Sequence, residues 1–296
     1  MNLKGLNHFR RISKYFNTVN RRISVGGVFI GFVETYEGRM ERIFSKYPKG
    51  FKRIAYTLDF LWHRVCPKLK ITQALYFAVT GGHNRAFSRT EILGRLCRAG
   101  FGIVDEKFIS GLLFFSVRKI SDPHNDNKPT YGPLIKLTRF GEHGKKIKIY
   151  KLRTMYPFAE YLQEYVYKQN SLAEGGKFDN DFRLSPLGRI VRKIWLDEVP
   201  MLTINVLIKR DVKLVGVRPL SNQYLSLYTE ELKQKRLKNK PGFFPPAYAD
   251  FPKTLDEIMA SEMAYLEAYE KAPFRTDWKL FWKALHTVFV SNYKGT

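Results

Sequence analysis

The sequence is poor in cysteine, in acidic residues relative to basic ones, and in long apolar runs. Its two cysteines, Cys66 and Cys97, exclude a disulfide framework and a zinc knuckle and fit a reducing compartment, each read as a buried or half-buried thiol. No apolar stretch approaches the ~18 residues that would span a bilayer, and the opening MNLKGLNHFRRISKYF lacks the apolar core of a signal peptide. An ordinary transmembrane protein is therefore not expected, although one that lies on a membrane is. There is no P-loop and no GxSxG, and His8, His63, His83, His124, His143 and His286 are too scattered for zinc spacing.

What is present is positive charge and aromatic rings. The 296 residues carry 51 Lys and Arg against 27 Asp and Glu, a net charge of +24, with 17 Tyr and 23 Phe. Such a surplus points to a polyanionic partner: nucleic acid, anionic lipid head groups or nucleotide phosphates. It is spread along the chain, with 22 basic against 8 acidic residues in 1–122 and 29 against 19 in the remainder. A hydrophobic share of 44% reads as globular.

Residues 1–24 read as a basic surface helix or a frayed arm, and residues 26–33 as a short buried strand. Ile54, Leu58, Leu61, Trp62 and Val65 recur at helical spacing until Cys66-Pro67 breaks the pattern. Ser88 and Glu91 make a capping box ahead of a helix, and residues 101–104 and 112–117 look like a strand pair. The order of residues 25–120 resembles the closing part of a Rossmann-like methyltransferase, but no GxGxxG precedes it, so no cofactor is implied. The polar stretch 121–129 is the expected linker. Beyond it, alternation at Ile135, Leu137, Ile147 and Ile149 around a Gly141–Gly144 turn predicts a hairpin with a basic outer face. Helical patterns follow over 159–168, 187–194, 200–208, 220–238, 256–269 and 278–290. Residues 212–215 read as a buried strand ending in Gly216, a small residue that would let backbone approach a nucleotide. The expected fold is α/β: an N-terminal α/β module over 1–122, then a mainly helical domain over 123–296 carrying a small β-hairpin.

The densest chemistry lies between Asp179 and Pro219. Asp197-Glu198 precedes Pro200, which suits the first turn of a helix, where the terminal field favours an ionised carboxylate. Neighbours on a helix point roughly 100° apart, so one carboxylate can face a phosphate while the other holds a hard cation such as Mg²⁺. Taken alone, such a pair is more often a plain helix cap.

Gly132-Pro133, Arg139, Gly141, Gly144-Lys145, the run from Tyr150 to Met155, Asp181, Arg183, Gly188 and Arg192 occur here in a fixed order. They continue with Leu196-Asp197-Glu198-Val199-Pro200, Asn205, Asp211, Leu214-Val215-Gly216 and Arg218-Pro219. Over about residues 131–220 this order resembles the bacterial sugar transferase family, the monotopic polyprenyl-phosphate phosphoglycosyl transferases. The resemblance implies transfer of a phosphosugar from a nucleoside-diphosphate-sugar, such as a UDP-sugar, to polyprenyl phosphate. It implies Asp197 as the nucleophile that takes up the phosphosugar covalently and Glu198, with Asp197, at a Mg²⁺ site. Lys151, Arg153, Arg192, Asp181, Arg183, Arg218 and Pro219 are the implied substrate-binding set, the Arg-Pro turn holding the nucleotide. Such a step initiates exopolysaccharide, capsule or O-antigen assembly on the cytoplasmic face of the bacterial inner membrane. An anionic membrane surface is then an expected partner, nucleic acid is not, and a homo-oligomer is compatible with the sequence. The alternative class is a non-catalytic basic protein that binds nucleic acid or a partner glycosyltransferase.

The chain departs from the family pattern. It lacks the apolar re-entrant helix before Gly132. Trp195, Val199, Met201 and Val217 stand where other residues are usual, Arg210 replaces a glycine, and two extra residues lie between Pro200 and Asp211. The substitute anchor expected from sequence is 51–79, an amphipathic basic helix with Phe60 and Trp62, the Cys66-Pro67 break and an apolar patch over 75–79. Lys52, Arg53, Arg64, Lys68 and Lys70 would face the head groups. The competing expectation is that Ile54, Leu58, Leu61 and Trp62 pack on the N-terminal sheet.

Overall fold

A computed structural model describes residues 5–124, 132–169, 172–173, 177–178 and 181–290. Two compact units divide the chain, one from residues 1–131 and 156–169, the other from 132–155 and 170–296. The expected linker ends its described part at His124, and residues 125–129 lie outside the described residues.

The first unit is mixed α/β. A three-stranded sheet, β1 (Val28–Glu34), β2 (Phe101–Ile109) and β3 (Leu112–Lys119), has the order β1-β3-β2. Both pairings are antiparallel, so the likeness to a Rossmann-like methyltransferase does not extend to topology. The short Ser110-Gly111 turn between β2 and β3 permits only an antiparallel neighbour. Alternation puts Phe29, Val33, Leu113, Phe115 and Val117 on the buried face. Gly31 leaves room there, since a Cβ on it would come 2.8 Å from the Phe115 ring. Helices α1 (Ile12–Arg22), α2 (Tyr36–Lys46), α3 (Lys52–Phe60), α4 (Lys70–Thr80) and α5 (Arg89–Arg98) complete the unit with α6 (Gln163–Gln169). From residue 5 on, the basic N-terminal segment is not a frayed arm, because α1 buries Ile12, Phe16 and Asn20. Residues 156–169 belong to this unit because Phe158, Ala159, Leu162 and Val166 are buried in it. There α5 lies so close that a Cβ on Gly94 would stand 2.2 Å from the Phe158 carbonyl oxygen.

Ser88 caps α5, accepting a bond from the Glu91 N–H at 3.1 Å. The reciprocal half of the capping box does not form, because the Glu91 carboxylate turns inward. It is fully buried and accepts from Arg64 at 2.7 Å, Lys68 at 2.9 Å and Arg95 at 3.0 Å. Burial would push this carboxyl up, but Lys68, Arg64 and Arg95 together outweigh it and hold it well below the usual range.

The second unit opens with the hairpin β4 (Leu134–Phe140) and β5 (Lys146–Leu152), then a two-residue pair β6 (Leu172–Ala173) and β7 (Lys177–Phe178). Helix α7 (Pro186–Lys193) is followed by a single 3₁₀ turn, Leu196–Glu198, and a π-helical stretch, Met201–Ile208. Strand β8 (Lys213–Val215) pairs in parallel with β9 (Gly242–Phe244). Between them lie α8 (Asn222–Leu225) and α9 (Glu230–Leu237), split where the Thr229 side chain caps α9, so the expected continuous helix over 220–238 is two. Helices α10 (Ala247–Asp250), α11 (Leu255–Lys271) and α12 (Pro273–Val290) close the unit. Val215, Val217, Leu232 and Leu266 are buried in one core, and Ile147, Ile149, Met201 and Val212 in another. Among the described residues no helix is long and apolar enough to cross a membrane.

Replacing Glu91 by Gln leaves three cations around a neutral amide. The expected cost is about 3–5 kcal/mol of stability, measured by chemical denaturation of both proteins. The native ion cluster contributes above the ordinary carboxylate range and is lost as pH falls through the depressed value, so the gap between the two proteins should close in acid.

Candidate active site

Strand β5 and the residues after it carry the second unit's polar organisation. The register Ile135↔Lys151, Leu137↔Ile149 and Arg139↔Ile147 puts these six side chains on one face of the ribbon. The middle of that face is apolar and buried, and its two ends are Arg139 and Lys151. The hairpin's basic outer face is thus only part of its charge. Arg139, Lys151, Glu198, Met201, Arg218 and Tyr248 line an open recess whose wall includes Pro219, Gly242 and Pro245.

Among the described residues, the free edge of β5 is held by one side chain. Asn205, wholly buried, accepts from the Tyr150 N–H at 3.0 Å and donates to the Lys148 carbonyl at 2.8 Å and to Asp211 Oδ1 at 3.0 Å. The π-helix explains the two extra residues between Pro200 and Asp211. Its wider turns, with the Lys209 N–H bonded to the Ile204 carbonyl at 2.8 Å, absorb them while Asn205 keeps its grip. Arg210 closes the stretch in the left-handed conformation, φ 55°, where a glycine would sit without strain.

Thr154 anchors the opposite side. Its carbonyl accepts from the Ser185 hydroxyl at 2.9 Å and the Ser185 N–H at 3.0 Å, and its hydroxyl accepts from Arg192 Nε at 3.0 Å. Gly188 is required by this contact, because a Cβ there would lie 1.9 Å from the Thr154 carbonyl oxygen. Beyond the end of α7, Trp195 is left-handed (φ 59°) and packs edge-on against Tyr248 at 5.1 Å. A bulky residue in that conformation is sterically costly, and it turns the chain directly into the Asp197-Glu198 pair.

The two carboxylates differ in their partners. Glu198 is ion-paired with the Lys151 ammonium. Burial pushes the Lys151 ammonium down, opposed by Glu198. Asp197 is half-buried and makes no ion pair among the described residues; Lys151 and Arg192 act on it at longer range. Burial and the neighbouring Glu198 charge raise its carboxyl above the usual range despite those cations. This reverses the expectation from the helix terminus: the turn is one 3₁₀ turn on a half-buried shelf, and burial outweighs its field.

The remaining sequence-derived site residues separate. Arg218 is exposed on the recess wall beside Pro219, with no side-chain partner among the described residues. Arg192 stands behind Asp197, bonded to Thr154. Arg153 bonds the Gly132 carbonyl at 3.0 Å, at the hairpin mouth, and is not among the recess residues. Asp181 and Arg183 fork onto each other, at 2.7 and 2.9 Å, with Arg183 buried. Gly216 meets protein: a Cβ on Gly242 would come 2.0 Å from the Gly216 nitrogen, so the small residues admit β9. Arg139 and Tyr248 joined the site only in three dimensions, though hairpin alternation could have placed Arg139 on the same face as Lys151. Among the described residues no group of three His, Cys, Asp or Glu converges on a metal position. Two adjacent carboxylates with substrate phosphates are nonetheless a donor set that Mg²⁺ accepts, since it rarely takes an all-protein cage.

Comparison with known proteins gives the family. A family model described as bacterial sugar transferase matches residues 126–291. A Bacillus subtilis protein named uncharacterized sugar transferase EpsL is 40% identical over 107 residues, 36% of this chain and 46% of that protein. The undecaprenyl-phosphate galactose phosphotransferase of Salmonella typhimurium is 36% identical over 109 residues, 35% of this chain and 22% of its own length. An Aeromonas hydrophila UDP-N-acetylgalactosamine-undecaprenyl-phosphate N-acetylgalactosaminephosphotransferase is 33% identical over 104 residues, 34% and 21% respectively. The chain spans less than half the length of each of these relatives.

Asn205→Ala would leave the Tyr150 N–H and the Lys148 carbonyl unpaired in a buried site. The expected loss is about 2–4 kcal/mol of stability, read as a lower denaturation midpoint. An Asn205→Asp variant sets a second carboxylate against Asp211 and the Lys148 carbonyl in a buried site, so it should lose at least as much.

Proposed function

Because the chain belongs to the bacterial sugar transferase family, we propose that it transfers a phosphosugar from a nucleoside-diphosphate-sugar to polyprenyl phosphate, with Asp197 as the nucleophile. The observation that carries this reading is the asymmetry of the dyad. Glu198 is neutralised by Lys151, whereas Asp197 has no ion-pair partner among the described residues and sits in the field of Lys151 and Arg192. An unpaired carboxylate is free to attack; a paired one is not.

In the first half-reaction an Asp197 oxygen attacks the phosphorus that bears the sugar. The bond from that phosphorus to the bridging oxygen breaks, and nucleoside monophosphate leaves with the electron pair. In the second, an oxygen of polyprenyl phosphate attacks the same phosphorus and the Asp197 carboxylate is restored. Arg139, Lys151 and Arg218, lining the recess, offset the charge of the diphosphate and of the departing phosphate. Tyr248 and the Arg218-Pro219 wall suit the nucleotide. Glu198, with Asp197, would hold Mg²⁺, which supplies further neutralisation of the diphosphate. Names of relatives that include undecaprenyl phosphate support a lipid acceptor, as do Leu187 and Ile190, exposed along α7, and Ile194 just after it. The product would open exopolysaccharide, capsule or O-antigen synthesis at the cytoplasmic membrane face.

Asp197→Asn should abolish turnover, and intact-mass spectrometry with a UDP-sugar and Mg²⁺ should show a phosphosugar adduct on the native protein only. The same change should raise thermal stability at neutral pH. A carboxyl whose folded value is raised contributes stability below its ordinary value and loses it as pH rises through the raised one, so its charged form is a cost that the neutral amide removes. Near-normal activity in this variant would leave Asp197 a structural cap.

Glu198→Gln tests the metal assignment. The expected outcome is a higher Mg²⁺ requirement or no release of nucleoside monophosphate, because an amide oxygen is a poorer ligand for a hard cation. Native activity unchanged in excess chelator would remove Mg²⁺ from the reaction.

A further inference from the structure

In the first unit, the segment from α3 through α4 turns Asp59, Arg64 and Lys68 inward and leaves two apolar rows outside. Asp59 turns inward to Arg39 at 2.8 Å, and Arg64 and Lys68 turn inward to the buried Glu91. Phe60 and Trp62 also face the unit, with rings 6.1 Å from Tyr36 and 5.6 Å from Tyr76. The outward residues are Ile54, Leu58 and Leu61 on one arm and Ile71, Leu75 and Val79 on the other, from 46% to 94% exposed. Each trio follows helical spacing, and Pro67 lies at the break between the arms. The sequence expectation that Ile54, Leu58 and Leu61 pack on the sheet is therefore overturned. Arg64 and Lys68, expected at the head groups, are bound to Glu91 instead, and Phe60 and Trp62 are half-buried.

We propose that this outward face, formed by Ile54, Leu58, Leu61, Ile71, Leu75 and Val79, is a membrane-binding surface that lies in the interface of an anionic bilayer. Helices normally hide apolar residues and expose charge; the reverse arrangement is stable where the outer medium is itself apolar. The charge pattern selects the medium. Between Glu41 and Glu91 the only acidic residue is Asp59, and it is paired inward, so the segment itself turns no carboxylate outward. Lys49 and Arg53 are exposed at its leading edge and complement anionic head groups. Counting the 5 residues of the helical turn Leu61–Val65 that continues the 9 of α3, the arms are 14 and 11 residues long, at most about 21 Å each, so they lie in the surface and do not cross it. This surface precedes the family match at 126–291 and does not depend on the chemistry proposed for the recess.

The test is flotation of the purified full chain, without substrate, on vesicles of phosphatidylglycerol and phosphatidylcholine. Binding should be strong at low salt and weaker in high salt or on pure phosphatidylcholine. Leu58→Ser with Leu75→Ser should lower the partition by about tenfold or more, and Ile54→Ser with Val79→Ser should do the same. Exposed side chains can be changed with an unaltered circular-dichroism melt, which shows that the variants are folded. The proposal is overturned if the native protein stays at the bottom of the gradient with anionic vesicles, or if both pairs float undiminished. It is also overturned if the native protein sediments as a dimer that both pairs dissociate while it fails to float. None of these outcomes bears on adduct formation at Asp197.

Discussion

A two-stranded ribbon leaves the outer edge of each strand with backbone donors and acceptors that need partners, and the second unit is built around answering that need at β5. Asn205 takes the Tyr150 N–H and the Lys148 carbonyl, imitating a third strand with one amide. Farther along, the Thr154 carbonyl takes Ser185. The helical stretch on one side and α7 on the other are thereby fixed to the same short length of backbone. The Asp197-Glu198 turn joins those two helices. Its position follows from two hydrogen-bonded anchors, with little freedom left for the turn itself.

That rigidity is what allows the dyad to be unequal. If Glu198 and Asp197 could exchange places, Lys151 would neutralise either one. Held as they are, Glu198 receives the ammonium and Asp197 is left half-buried with a raised carboxyl. The left-handed Trp195 immediately before the pair is the local strain that such placement requires, and the surrounding packing sustains it.

The two units handle charge in opposite ways. In the second, cations gather around an open recess where a polyanion can enter. In the first, Arg64, Lys68 and Arg95 are spent on one buried carboxylate, and the apolar residues of the same helices are turned outward. A net charge of +24 therefore conceals two arrangements. One sets cations around a recess; the other pairs them with a buried carboxylate.

Much of the candidate site was legible in order along the chain. The run from Tyr150 to Met155, Gly188, Arg192, Asp197-Glu198, Asn205 and Arg218-Pro219 carried the family resemblance, because close backbone contacts and phosphate chemistry each demand particular residue types. Hairpin, strand and helix positions followed from periodicity for the same reason: local sterics and alternation act within a few residues. The tertiary structure decided what depends on residues far apart. It brought Arg139 and Tyr248 to the recess, sent Arg153 to the hairpin mouth, and matched Gly216 to Gly242. It also raised the Asp197 carboxyl, since burial is a property of the surroundings and not of the turn. The outward set of α3 and α4 was decided there too: helical spacing groups Ile54, Leu58 and Leu61 on one face, but only the buried partners of Asp59, Arg64 and Lys68 determine which face looks out.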